Sequence, residues 1–258
     1  MTGPLLLTAS IWLQTFTNPD DLLKQVQVNQ KKMEQIRENY TFHRIRKTED
    51  IDAKGKVLST TTEEREIFFV NRWSIGRLVK RNGQELPEKE RKAEDQRVTK
   101  RVQECMKKEP PRNRGNAGIN VSQILESMAL SNPRRLVRNS RASLVFDFTA
   151  DPKKTVKGIN PSKQMAGSIW IDEADRQVAR IEVRFFEDFK VGGGLVAKVR
   201  KGTSFEIEAM PLGEGLWMMS TRKDHIDARV AVKGFRQNVE VKTFDFKRFN
   251  VEAHPTVP

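Results

Sequence analysis

Few side chains in this 258-residue chain are of the types that do chemistry, and their spacing argues against most of it. Cys105 is the only cysteine, so no intrachain disulfide can form. Arg101, Lys107 and Lys108 nearby could favour its thiolate, but a thiol nucleophile also needs a base, and no histidine lies close in sequence. A packing role in a helix is the expectation. His43, His225 and His254 are scattered, and none pairs with another histidine or a cysteine at metal-ligand spacing. Asp172, Glu173 and Asp175 could attract calcium, but the segment lacks the ligand number and trailing glutamate of a calcium loop, so a solvated hairpin turn is expected. Gly192-Gly193-Gly194 is followed by Leu195, Val196 and Ala197 rather than by a helix or a Gly-Lys-Ser/Thr ending, which favours a strand connection over a phosphate cradle. Lys201-Gly202-Thr203 likewise falls between strands. No nucleophile elbow or spaced carboxylate pair is identifiable. The expectation is therefore no catalytic residue, no metal and no cofactor.

What remains is apolar surface. Adjacent strands contribute Trp170, Phe185, Phe186, Phe205, Trp217, Met218, Met219 and Phe235. Two readings stay open: a closed core, or a sheet whose inner face is only partly plugged and holds an acyl chain. In the second reading the cavity is lined by Trp170, Ile181, Val183, Phe185, Phe205, Ile207, Trp217 and Met219. Methionine would suit an adaptable pocket.

Patterning sets out the elements that must position these residues. Asn18-Pro19-Asp20-Asp21 has the chemistry of a helix start, and Leu22, Leu23, Val26, Met33 and Ile36 then fall on one helical stripe. Tyr40, Phe42, Arg44 and Arg46 alternate with Thr41, His43 and Ile45, as in a strand. Asp52-Ala53-Lys54-Gly55 is a turn, Val57 to Trp73 a second strand and Ser74 to Lys80 a third. After the turn dipeptide Asn82-Gly83, Glu88 to Lys108 reads as a charged helix, Pro110 to Asn116 as a linker, and Val121 to Leu130 as a short amphipathic helix ended by Asn132-Pro133. Strands follow at Leu136–Arg141 and Ser143–Phe148, then a loop. A meander closes the chain: Met165–Asp172, Gln177–Phe186, Leu195–Arg200, Ser204–Met210, Leu216–Lys223, Ala228–Phe235 and Val239–Val251. In its second strand Ala179, Ile181, Val183 and Phe185 alternate with Arg180, Glu182 and Arg184, the mark of a sheet with one apolar and one wet face.

Composition and termini bound the setting. Lys and Arg total 47 against 34 Asp and Glu, a net charge of +13. Such an excess favours contact with anionic surfaces, or is simply a solvated basic exterior. No recognition helix, zinc finger or RNA-binding aromatic signature accompanies it, so no nucleic acid is expected. Leu5, Leu6, Leu7, Ile11, Trp12 and Leu13 form an apolar run too short to span a membrane. It is similar to the core of a secretory signal without its basic start or a small-residue cleavage site. Residues 1–17 are therefore read as a signal-peptide remnant of an exported chain, the alternative being an apolar stretch packed on the body.

The N-terminal amphipathic helix, the long strands from Tyr40 to Trp73, and Gly167-Ser168-Ile169-Trp170-Ile171-Asp172 followed by Gln177-Val178-Ala179-Arg180-Ile181-Glu182 resemble the LolA/LolB lipoprotein-sorting superfamily, which includes RseB-type stress regulators. Lys201-Gly202-Thr203 through Pro211-Leu212-Gly213-Glu214-Gly215-Leu216-Trp217 and the close Asp245-Phe246-Lys247-Arg248-Phe249 resemble exported bacterial proteins grouped with it. The resemblance implies an α+β fold: a strongly curved antiparallel sheet, an unclosed half-barrel, lidded by helices, over residues 18–258, with a helical insertion around 87–130. It also implies a non-enzymatic, monomeric, periplasmic carrier of an acyl chain, lipid or lipidated protein, with basic surface near anionic headgroups. The alternative is a protein-interaction or regulatory module with a closed core. The insertion, and the lack of a lipidation cysteine near the start, depart from the family pattern.

Overall fold

A computed structural model describes residues 19–109, 127–151, 153, 161–213 and 215–248. The expected signal remnant, the cap at Asn18, the linker from Pro110 and most of the helix expected at Val121 lie outside these residues. The chain order is α1 (Pro19–Arg37), β1 (Tyr40–Ile51), β2 (Val57–Val70), β3 (Trp73–Arg81), β4 (Gln84–Glu85), α2 (Glu88–Lys107), β5 (Met128–Arg138), β6 (Arg141–Ala150), β7 (Met165–Asp172), β8 (Val178–Phe185), β9 (Phe189–Val191), β10 (Ala197–Val199), β11 (Ser204–Gly213), β12 (Leu216–Val230) and β13 (Lys233–Arg248).

The strands form one antiparallel sheet in the order β4-β3-β2-β1-β13-β12-β11-β8-β7-β6-β5, with the small β9-β10 hairpin attached to β12. The end strands β4 and β5 do not pair, so the sheet is unclosed. Register shifts interrupt the ladders at Thr41/His43, Glu64/Arg65, Trp170/Ile171 and Glu208/Ala209. Each extra residue adds bend and twist, which curves so wide a sheet. The expected α+β half-barrel is the architecture observed.

Helix α1 lies on one face because its apolar positions repeat at helical spacing. Leu22, Leu23 and Val26 are buried among Phe146, Phe148, Ile169, Ile171, Ile181, Val183 and Phe185. Farther along, Met33 packs on a second cluster of Phe42, Ile67, Leu216 and Met218. The helix therefore reaches both halves of the same face. Burial of each such side chain contributes about 1.5–3 kcal/mol before ordering costs. Polar ties add to it: Asn29 Nδ2 donates to the carbonyls of Asp175 and Arg176, both at 3.2 Å, and Gln30 Nε2 to Gln177 Oε1 at 3.1 Å. Ile36, expected on the apolar stripe, is instead exposed at the helix end.

Helix α2 covers an edge. Strand β3 pairs with β4 only at Lys80 and Arg81, leaving backbone groups nearer its start without a strand partner. Glu94 Oε1 accepts the backbone N–H of Leu78 at 2.6 Å, and Arg97 donates to the carbonyl of Gly76 at 2.5 Å. Two side chains of α2 thus occupy positions a further strand would fill. Cys105 is fully buried on this helix, as its packing role requires.

Four expectations about elements are corrected. Met128 and Leu130, assigned from sequence to an amphipathic helix, belong to β5, which continues through Asn132-Pro133 to Arg138. Proline is tolerated there because β5 is an edge strand and Ser131/Arg134 is a bulge, with Asn132 at φ +50°. Trp73 opens β3 rather than closing β2, since Asn71 and Arg72, at φ +46° and +68°, make the two-residue turn between them. Leu216–Lys223 and the start of Ala228–Phe235 are one long strand, β12, and the reversal falls at Ala231-Val232. Only Ala197–Val199 of the segment Leu195–Arg200 is extended, because Gly192–Gly194, all at positive φ, make a tight 3-10 turn before it.

Candidate functional site

Two faces of the sheet divide the residues expected to line a cavity. Ile181, Val183 and Phe185 are 1–3% exposed in the layer beneath α1. Phe205 and Ile207, brought opposite Val183 and Ile181 by the β8–β11 register, pack against the same layer. Phe185 and Phe205 meet edge to face with ring centroids 6.3 Å apart. Trp170 lies on the other side of the sheet, half-buried, with the Arg180 guanidinium 5.3 Å above its ring. Trp217 is buried; its Nε1 donates to Asp175 Oδ2 at 2.8 Å and Arg141 stacks 5.3 Å over its ring. Met219 is half-buried on β12. Trp170 and Trp217 border a small cavity of about 110 Å³, together with Arg138, Arg141, Arg180 and Glu208.

The Asp172 turn satisfies its own charges. Asp172 accepts two bonds from Arg141, at 2.7 and 2.8 Å, and the backbone N–H groups of Ala174 and Asp175. Arg141 also donates to Asp175 at 2.7 Å. Burial pushes Asp172 up, but the bonds from Arg141 and the two N–H groups outweigh it and leave the carboxyl below the usual aspartate range. A guanidinium occupies the place a cation would take. Among the described residues no group of three His, Cys, Asp or Glu side chains could hold a metal ion. His43 Nδ1 lies 3.1 Å from Glu64 Oε1, and His225 Nδ1 2.9 Å from Asn238 Oδ1.

Face alternation places a second, polar surface on the side away from α1. Glu182 and Arg184 alternate with buried Ile181, Val183 and Phe185, and the registers align Ser204 and Glu206 with them. Lys223 and His225 follow on β12, Asn238 and Glu240 on β13, Lys47 and Glu49 on β1. These residues of adjacent strands line a cavity of about 700 Å³. Its walls carry charges of both signs.

A third group lies on the α1 face, between the two apolar clusters. Phe42 belongs to the second cluster, and Arg44 and Arg46 follow it at two-residue steps on the same face. Arg65 stands opposite Arg44 across β2, while Arg222 and Arg46 flank Val241 of β13. Arg222 is matched by Asp224, at 2.7 and 2.9 Å, and Arg65 by Glu63, at 3.2 and 3.1 Å. Arg46 Nε donates to Thr48 Oγ1 at 3.3 Å. Arg44 has no such partner among the described residues: its Nε is buried without a hydrogen bond, and its guanidinium lies 5.6 Å from the centre of the Phe42 ring. Burial, then the neighbouring charges of Arg37, Arg222 and Arg46, pull Arg44 down to about 10. The sequence held the signal for this group in the alternation of Phe42, Arg44 and Arg46. It did not show that this face is the one carrying α1, covered at Phe42, half-covered at Arg44 and open at Arg46.

No family model matches the chain, and no curated protein does. Solved structures do. A protein domain described as outer membrane lipoprotein-sorting, from Vibrio parahaemolyticus, is similar over 90% of this chain and 93% of its own, at 10% identity and a TM-score of 0.41. A DUF1329 family protein from Desulfovibrio piger is similar over 92% and 95%, at 12% identity and a TM-score of 0.37. The MucA/MucB complex structure from Pseudomonas aeruginosa is similar over 87% of this chain and 99% of that one, at 8% identity and a TM-score of 0.25. These matches include the kind of protein the sequence resembles.

Proposed function

We propose that this chain is a non-enzymatic, exported binding protein that holds an amphiphilic molecule, a lipid or a lipidated segment of a protein, on the α1 face of its sheet. The observation that carries this reading is the apolar layer shared by α1 and strands β6 to β8, in which Leu22, Leu23 and Val26 cover Ile169, Ile171, Ile181, Val183 and Phe185. An acyl chain that replaced those helix contacts would bury the same surface without exposing any of it to water. The helix can move as a unit: it joins β1 through only Glu38-Asn39, and its polar ties to the sheet include single bonds from Asn29 and Gln30 and the approach of the Trp217 N–H to Met33 sulfur, each of which water could replace. In this reading the Trp217 backbone, whose N–H approaches Met33 sulfur, borders the path of the moving helix, while Trp170 holds the opposite face and Met219, which alternates with Met218, lies off that path.

Native mass spectrometry and lipid extraction of protein purified from the periplasm test the proposal. Co-purifying lipid, with uptake of an apolar dye by the lipid-free chain, is the expected result. Absence of both would overturn it in favour of the second reading, a closed-core module with a protein partner. That reading draws on the 700 Å³ polar cavity, whose Lys47, Lys223, Glu182 and Glu240 suit a peptide carrying both charges.

A further inference from the structure

We propose that Arg44, with Arg46 and Arg222 beside it, forms a site for a phosphate group on the α1 face of the sheet. A guanidinium is planar, carries five N–H donors and recognises oxyanions by paired bonds. In a settled interior those donors are taken up by carboxylates or carbonyls, as they are for Arg222 on Asp224 and Arg65 on Glu63. Arg44 is different. Among the described residues its donors meet no acceptor, although Nε is shut off from water, and the side chains around it add positive charge instead of relieving it. An unsatisfied buried charge costs folding free energy and persists where something else completes it.

The position of the cluster indicates what completes it. Phe42 lies against the Arg44 guanidinium, and the apolar cluster of Phe42, Ile67, Leu216 and Met218 begins there. Arg46 and Arg222 stand on strands two apart, with only Val241 of β13 between them, so their side chains can reach a common oxyanion from both sides of β13. Asp224 and Glu63 neutralise one arginine each and leave Arg44 and Arg46 as the excess charge. The binding of an amphiphile proposed above is taken as the starting point: an apolar layer beside an arginine pair suits a ligand whose charged end is a phosphate. The same donors would also take free phosphate.

Calorimetric titration of the full chain at constant ionic strength, with chloride as the balancing anion, separates these cases. Three probes are used: inorganic phosphate, monomeric dihexanoylphosphatidylglycerol and dihexanoylglycerol, which has the same chains without the phosphate. Phosphatidylglycerol is expected to bind, and both Arg44→Gln and Arg46→Gln to weaken it about tenfold or more, the scale of one charge-assisted hydrogen bond. Inorganic phosphate binding as tightly as the lipid would assign the site to free phosphate. Binding of phosphate without either lipid would uphold the site and overturn the amphiphile reading. Dihexanoylglycerol binding as well as phosphatidylglycerol, with neither variant affected, would overturn the site and keep the lipid reading. Failure of the wild type to bind any probe overturns both. The Tm of Arg44→Gln is a separate readout: it should equal or exceed that of the wild type, because an uncompensated charge is removed, and a fall would mark Arg44 as a structural residue.

Discussion

Arg44 and Asp172 are two enclosed charges with opposite solutions. Asp172 is 1% exposed, yet Arg141 and two backbone N–H groups meet its oxygens. Replacing it with asparagine removes the charge that Arg141 pairs with, and should cost about 2–4 kcal/mol, read as a lower midpoint in urea denaturation. The same arrangement sets an acid limit. Because the carboxyl of Asp172 is held below its ordinary range, its ionised form stabilises the fold above about pH 4, and that contribution is lost as pH falls through the lowered value. Asp147, lowered by its bonds from Arg134, Asn132 and Ser168, adds to the effect with the same sign. Asp224 opposes it: burial raises its carboxyl despite Arg222, so its contribution is largest in acid and declines as pH rises through the raised value. Thermal melts from pH 7 to pH 2 should show a net loss of stability below about pH 4, with a smaller loss in Asp172→Asn, which no longer has that carboxylate to protonate.

Among the elements, β7 has one backbone approach too close for a side chain, and α2 covers the edge of β3 through Glu94 and Arg97. A Cβ at Gly167 would sit 1.8 Å from the Glu182 carbonyl oxygen and 2.6 Å from the Phe148 ring. The oxygen belongs to the neighbouring strand and cannot rotate away, so Gly167→Ala should separate β7 from β8 and cost about 3 kcal/mol or more, measured by chemical denaturation. On the other side of the molecule, Glu94→Ala removes the acceptor of the Leu78 N–H and the partner of Arg97. The loss should be about 1 kcal/mol in stability, with concentration-dependent association through the opened edge of β3, seen by light scattering. If Glu94→Ala stays monodisperse at high concentration, α2 is not what protects that edge.

For the molecule as a whole, charge is the property with the longest reach. The excess of +13 is drawn to anionic headgroups through water, but salt screens it within about 8 Å at physiological ionic strength. Sedimentation with phosphatidylglycerol vesicles should show binding that falls steeply between about 0.05 and 0.5 M NaCl, whereas phosphatidylcholine vesicles should bind little at either. Binding that persists at high salt would point to apolar insertion rather than surface charge. No helix among the described residues is long and apolar enough to cross a membrane.

Helix α2 was legible almost to the residue, because charge and apolar spacing are local properties and Pro87 marks its start. The strands β7 and β8 were legible for the same reason, as period two needs no partner to be seen. Turns without glycine were not. Asn71-Arg72 sits between Phe69-Val70 and Trp73, and Ala231-Val232 between alternating apolar residues, so both reversals read as continuing strands until pairing was known. Of the candidate site, the alternation of Ile181, Val183 and Phe185 fixed that they share a side, and that of Phe42, Arg44 and Arg46 did likewise. Which side α1 covers, and whether a charge there finds a partner, depended on residues far apart in sequence: Val26 against the β7–β8 layer, Asp224 beside Arg222 and, among the described residues, no hydrogen-bond acceptor for Arg44. Periodicity is written within a strand, but enclosure and charge pairing arise only when strands from both ends of the chain meet.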